Sequence, residues 1–149
     1  MVRKHQQSDF QYPVNDLQKQ LYASVFDRIS APVILDCGCG TGMSTDILAQ
    51  QYPDHVVVGI DQSASRLSRH PQFDMNGDDK AIWVDNKVLV QADVVSWWLL
   101  AAREGRQFSK AFFLYPNPWP KSKHLQRRWQ GHGIWPLICE HVKYIEMRT

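Results

Sequence analysis

A chain of 149 residues with 44% hydrophobic content and a net charge of +2 holds one domain with a real core and is too short for two. Its charge is unevenly spread: residues 1–102 carry 8 Lys/Arg against 12 Asp/Glu, and residues 103–149 carry 9 against 3, so only the final third offers a polyanion a cationic face, or is simply a solvated basic surface. Three cysteines with a Cys37-x-Cys39 pair exclude a disulfide framework; MVRKHQQSDFQYP has no signal-peptide core, and the longest apolar run, near Val94–Ala102, is too short to span a bilayer, so a soluble cytoplasmic protein is expected.

The first predicted element is a helix over about 15–30, because Leu17, Leu21, Val25 and Ile29 recur every four residues with Tyr22 and Phe26 beside them. Pro32 closes it and Val33–Leu35 reads as a short buried strand. A helical pattern runs from Ser44 to about Tyr52 and breaks at Pro53-Asp54. His55–Ile60 is a β-branched run ending at Asp61, which predicts a second strand, and Gln62–Arg69 reads as a short helix. Residues 71–86 are polar and rich in turn formers, Trp83 excepted, and are expected to form a loop. Lys87–Gln91 is a third strand ending at Asp93; Val94, Val95, Trp98, Leu99 and Ala102 then share one helical face. Lys110–Leu114 is a fourth strand, residues 122–130 have helical spacing, and Val142–Met147 is a fifth strand. Strands alternate with helices and are apolar throughout, which is the pattern of a doubly wound, mostly parallel sheet covered on both faces.

Between the first strand and the helix after it lies Asp36-Cys37-Gly38-Cys39-Gly40-Thr41-Gly42. In a doubly wound sheet this is where ligands bind, and glycine lets the backbone approach them. A dinucleotide fingerprint needs its third glycine at position 43, which is Met; here the third glycine is Gly42 and an acid ends the strand. A carboxylate at that point repels a pyrophosphate but suits a ligand carrying a sulfonium and an ammonium. The pattern resembles the glycine motif of class I S-adenosylmethionine-dependent methyltransferases. Asp61 ends the second strand, where a carboxylate accepts ribose hydroxyls in methyltransferases and dehydrogenases alike. Asp93 ends the third, where it either reads an adenine amino group or caps the following helix. Cys37 and Cys39 are better read as small residues in a tight loop than as half a zinc site, since no second pair of ligands has matching spacing.

The stretch LYPNPWPKSKHLQRRW follows the fourth strand. Pro116, Pro118 and Pro120 stiffen the turn and hold Asn117 at the same sheet edge as the glycine loop. Trp119 either stacks on a base or packs in the core. Lys121, Lys123, His124, Arg127 and Arg128 follow, with Lys123/Arg127 and His124/Arg128 at helical spacing, either a phosphate-binding surface or a solvated helix face.

From Asp36 to Thr149 the chain resembles the tRNA (guanine-N7)-methyltransferase family, through Tyr115-Pro116-Asn117-Pro118-Trp119-Pro120-Lys121 and His124-Leu125-Gln126-Arg127-Arg128. The resemblance implies a Rossmann-like class I methyltransferase fold. It implies S-adenosylmethionine as cofactor, held by Asp36, Gly38, Gly40, Gly42, Asp61, Asp93 and Asn117, with Asn117 also catalytic. It implies tRNA as partner, contacted by Lys121; Trp119, Lys123, His124, Arg127 and Arg128, read from the residues themselves, are the other candidate RNA contacts, and no metal, no membrane and a monomer or weak homodimer are expected. Most of the family has Asp at the position of Asn117, so the role carried over is that of a carbonyl acceptor rather than a negative charge. The family also continues beyond Arg148-Thr149 into a further helix and a final strand pair. This chain is accordingly expected to be a single, incomplete, C-terminally truncated domain over residues 1–149, lacking that pair. Two further readings are a non-catalytic remnant that binds RNA or cofactor, and a methyltransferase acting on an exocyclic amino group. The second fits Asn-Pro-Trp-Pro poorly, because its motif orders those residues differently. A NAD-linked dehydrogenase is disfavoured by Asp36 and the glycine spacing.

Overall fold

The computed structural model describes residues 12–73, 80–114 and 133–148. Within them one six-stranded sheet is built from β1 (Val33–Cys37), β2 (Val56–Asp61), β3 (Ala81–Val84), β4 (Lys87–Gln91), β5 (Lys110–Leu114) and β6 (Ile145–Arg148). The strand order is β3-β4-β2-β1-β5-β6. From β1 the chain works outward through β2 to β4, then returns to lay β5 on the other side of β1. Asp36 therefore pairs with Gly59 on one flank and Phe112 on the other, all in parallel strands. The reversal at β1 and β5 opens a crevice at the carboxyl ends of those strands, which is where ligands bind in such sheets.

Strand periodicity decides which face each residue serves. Leu35 and Cys37 of β1, with Val58, Ile60, Val88, Val90, Ala111 and Phe113, point into the larger core cluster. That cluster is covered by α1 (Asp16–Phe26), α4 (Val94–Glu104) and α5 (Trp135–Glu140). Ile34, Val57 and Phe112 point the opposite way, onto Leu48 and Ala49 of α2 (Met43–Gln51). The fifth helix, α3 (Ala64–Leu67), sends Leu67 against Cys39, Phe73 and Leu89. None of the described helices is long and apolar enough to cross a membrane.

Several expectations needed correction. Ala81–Val84, expected within a loop, is an edge strand antiparallel to β4, joined to it by the two-residue turn Asp85-Asn86 with Asp85 at φ 53°. Four residues, all half-buried, carry too little alternation to announce a strand, and β4 supplies the pairing. The expected strand over Val142–Met147 begins only at Ile145, because Val142 makes an isolated bridge to Phe108. Trp135–Glu140, unassigned from the sequence, is a helix with Pro136 in its first turn, where a missing N–H costs nothing. The helix expected over Gln62–Arg69 shrinks to α3, which Ser63 caps by accepting from Arg66 N at 3.2 Å. The buried face of α4 is centred on Trp97, Trp98 and Ala101, whereas Val94, Val95 and Ala102 are half-buried. Trp97 is drawn inward because α1 meets it on two counts. Its indole donates to Gln18 Oε1 at 3.1 Å and its ring stands edge-on to Tyr22 at 5.4 Å.

Asn86 ties the hairpin turn to the other side of the sheet. Its Nδ2 lies 3.0 Å from Ala49 O, 3.2 Å from Tyr52 O and 3.0 Å from His55 O. Two N–H donors thus serve three carbonyls at the end of α2 and the entry to β2. Asn86→Ala is expected to lower stability by about 2 kcal/mol in urea denaturation, since the carbonyls would lose their partner inside the fold. An unchanged midpoint would show that water replaces the amide there.

Candidate functional site

β1 carries Asp36 to the carboxyl edge of the sheet, and residues 38–42 turn from there into α2. Gly38, Gly40 and Gly42 adopt φ of 76°, 61° and 86°, a region in which side chains are strained. Gly42 is also enclosed, since a Cβ there would lie 2.9 Å from His70 Cδ2 and 3.1 Å from Leu89 Cδ2. Gly40 is the opposite case. A Cβ would meet nothing within 4 Å among the described residues, which leaves room there for a ligand.

Four of the loop's amides are already committed. Gly38 N and Cys39 N both donate to Ile60 O, at 2.7 and 2.9 Å, Gly40 N donates to Asp61 Oδ2 at 2.7 Å, and Gly42 N donates to Cys39 O at 3.0 Å. These four N–H groups form no nest for a phosphate. Beside them lie two buried carboxylates, Asp36 and Asp61.

Asp36 is fully buried. Its Oδ2 accepts from Ser44 Oγ at 2.6 Å and Thr45 Oγ1 at 2.7 Å, while Oδ1 has no partner among the described residues. Burial raises its pKa to about 6, the two hydroxyls pull it back part of the way, and the nearby charge of Asp61 adds to the rise. A cationic or N–H donor reaching Oδ1 would relieve this. Asp61 is nearly as buried, with Oδ1 accepting from Ser63 N at 2.8 Å and pairing with Arg66 Nη2 at 3.2 Å.

Of the two roles weighed for Asp93, the structure shows the cap. Asp93 is the N-cap of α4, accepting from Val95 N at 3.3 Å, and it also lines a polar cleft of ≈ 250 Å³ with Asn15, Gln18, Gln62 and Gln91. Its Oδ2 is held by Tyr12 Oη at 2.6 Å and Ser96 Oγ at 2.8 Å. The bond to Asp93, with burial second, pushes the Tyr12 phenol up to about 12. The cleft lies at the carboxyl ends of β2 and β4, beside the Asp61 end of the glycine loop.

Burial pushes the thiols of Cys37 and Cys39 well up, so both stay protonated and neither offers a thiolate. Among the described residues no three His, Cys, Asp or Glu side chains group as metal ligands. The expected substrate-side residues Asn117, Trp119, Lys121, Lys123, His124, Arg127 and Arg128 lie outside the described residues. β5 leads towards them, ending at Leu114 beside β1.

Some contributors escaped the sequence reading. Ser44 and Thr45 had a usable cue, because the first turn after a glycine loop faces the strand end it came from. Arg66 sits three residues after the capping Ser63, which aims it back towards Asp61. Tyr12 and Gln18 had none, being 81 and 75 residues from Asp93 in the chain. His70 is likewise a support. Its Nε2 lies 3.0 Å from Asp46 Oδ2, its Nδ1 accepts from Gln72 N at 3.2 Å, and Lys87 Nζ reaches Asp46 Oδ1 at 2.6 Å, which clamps residue 70 over Gly42.

Residues 30–133 match the family described as "Putative methyltransferase". The chain is similar to a tRNA (guanine-N(7)-)-methyltransferase of a Nocardioides species, 36% identical over 106 residues that make up 71% of this chain and 40% of that protein. It is similar to another of that name from Nitrosomonas eutropha, 28% identical across 85% of this chain and 54% of the relative. The chain spans about half the length of the curated relatives it matches. Among solved structures, an antibiotic-related methyltransferase superposes on 92% of this chain and 67% of its own, with a TM-score of 0.53 and 17% identity, which speaks to the fold.

Proposed function

The chain belongs to the methyltransferase family that its residues 30–133 match, and from that premise we propose that it binds S-adenosylmethionine and serves methyl transfer to N7 of a guanine in tRNA. The observation that carries the cofactor half is the acid-lined strand edge. Buried Asp36, with an unpaired acceptor, and Asp61 flank a glycine loop four of whose amides are bonded within the chain and whose Gly40 has space beside it among the described residues. Such a donor-poor, acceptor-rich rim fits a ligand with an ammonium and hydroxyls and does not fit a pyrophosphate. The names of the relatives support the tRNA half.

S-adenosylmethionine, when bound, supplies an electrophilic methyl group. In this reading Asp36 faces the ligand's ammonium, Asp61 its ribose, and Asp93 with Gln62 and Gln91 the adenine end. Guanine N7 has an in-plane lone pair and no proton, so no side chain need act as a general base, and the protein's task is alignment. Asn117 is proposed to offer its carbonyl to the base as positive charge develops there. Trp119, Lys121, Lys123, His124, Arg127 and Arg128 are proposed to hold the RNA, the cations through its phosphates.

Isothermal titration with S-adenosylmethionine tests the first half. Wild type is expected to bind and Asp61→Ala to lose affinity at least about tenfold, the worth of one hydrogen bond to a charged group. A folded wild type that takes up no S-adenosylmethionine would sink the reading. Methylation of bulk tRNA followed by reductive cleavage tests the second half, because N7-methylguanosine is labile and an N-methylated exocyclic amine is not.

A further inference from the structure

The acceptor proposed for the ribose is not vacant in this structure, since a side chain of the chain itself holds it. A carboxylate has four lone-pair directions. Asp61 uses one on Oδ2 for Gly40 N at 2.7 Å, and both on Oδ1, for Ser63 N at 2.8 Å and Arg66 Nη2 at 3.2 Å. A single direction remains, whereas a vicinal diol donates two hydrogen bonds.

The three donors are not equally replaceable. Gly40 N is fixed by the loop, and Ser63 N by the cap of α3. Arg66 alone comes on a long side chain that is 40% exposed, against 1% for Asp61, so it has solvent to move into while the carboxylate does not. No other cation is paired with Asp61 among the described residues. Resting on the cofactor reading above, we propose that Arg66 is an internal competitor for the ribose diol: its guanidinium occupies Asp61 in the free chain and must leave before an adenosyl ligand can engage both hydroxyls. Arg66 thereby sets the affinity threshold of the site for a ligand with two hydroxyls and narrows its advantage over a ligand with none, because only the former has to displace the guanidinium.

The test compares wild type with Arg66→Met by titration with S-adenosylhomocysteine and with its 2′,3′-dideoxy analogue. The sulfur of both is uncharged, so loss of a positive side chain does not by itself alter attraction to a sulfonium. Met keeps most of the apolar stem, and Arg66→Gln repeats the comparison with a neutral polar head. Arg66→Met is expected to bind S-adenosylhomocysteine about fivefold more tightly, the worth of one partly exposed ion pair, and to bind the dideoxy analogue as wild type does. Binding of S-adenosylhomocysteine that is unchanged or weaker in both variants would overturn the proposal and show Arg66 to be a support for Asp61. An equal gain for both ligands would overturn it too, as a general charge effect. If wild type and both variants, all folded by circular dichroism, take up neither ligand, the cofactor reading itself fails and the role of Arg66 falls with it.

Discussion

Gly59→Val is expected to lower stability by about 4 kcal/mol. The backbone of Gly59 is ordinary strand, so the cost is steric. A Cβ at this position would collide with Thr45 Oγ1, and would lie 3.0 Å from Thr45 Cγ2 and 3.1 Å from Leu89 Cδ2. Thr45 is fully buried and has no free volume to retreat into. Its hydroxyl is also one of the two donors to Asp36, so a shift large enough to clear the new methyl groups breaks a 2.7 Å bond to a buried carboxylate. Overpacking contributes about 1–3 kcal/mol and the lost bond to a charged group about 1.5–3 kcal/mol. Equilibrium denaturation of wild type, Gly59→Ala and Gly59→Val measures the sum. Adding Thr45→Ala to Gly59→Ala should recover the packing share but not the hydrogen-bond share. If Gly59→Val unfolds within about 1 kcal/mol of wild type, α2 rides loosely on the sheet and the account is wrong.

Asp36→Asn is expected to make the chain more stable than wild type near neutral pH, while weakening its hold on an amine-bearing ligand. The folded-state value of about 6 lies above the 3.8 of an unperturbed aspartate. The folded chain therefore binds the proton more tightly than the unfolded one, and its stability falls as the pH rises from about 4 to about 6. The loss amounts to about 3 kcal/mol at full ionisation. Asn does not titrate, so its stability relative to wild type should climb across that window and level off above it. Denaturation midpoints collected from about pH 4 to about pH 7.5 show the climb, and a difference that stays flat would mean Asp36 ionises as an exposed aspartate does. Titration of both proteins with S-adenosylmethionine supplies the other side of the exchange. An Asn that binds as well as Asp would remove the ammonium from the proposed partners of Asp36.

The sheet was legible because its inner strands are apolar runs, three of which lead into an acid: β4 and β5 match their expected bounds residue for residue, and β2 differs by one position at each end. The edges were less so. β3 owes its existence to pairing with β4, and β6, expected as a strand over Val142–Met147, starts three residues later, after the isolated bridge at Val142. The acids of the candidate site were legible for the same reason as the strands, since each stands at or just beyond the end of a buried run. What surrounds them was not. Tyr12 and Gln18 meet Asp93 only because α1 packs on α4, and Arg66 meets Asp61 only because Ser63 turns the chain back.

The inward-facing amides of the glycine loop also bear on the order in which the protein assembles. Gly38 and Cys39 hang on Ile60, and Gly40 on Asp61 across a separation of 21 residues. The loop is thus shaped from outside, by a strand that is synthesised after it. Until β2 has docked beside β1, these glycines have nothing to fold against and retain the wide freedom of an open chain. The ligand rim is therefore a product of long-range strand pairing and matures with it, and a peptide holding the glycine motif alone would have the letters of the site without its form.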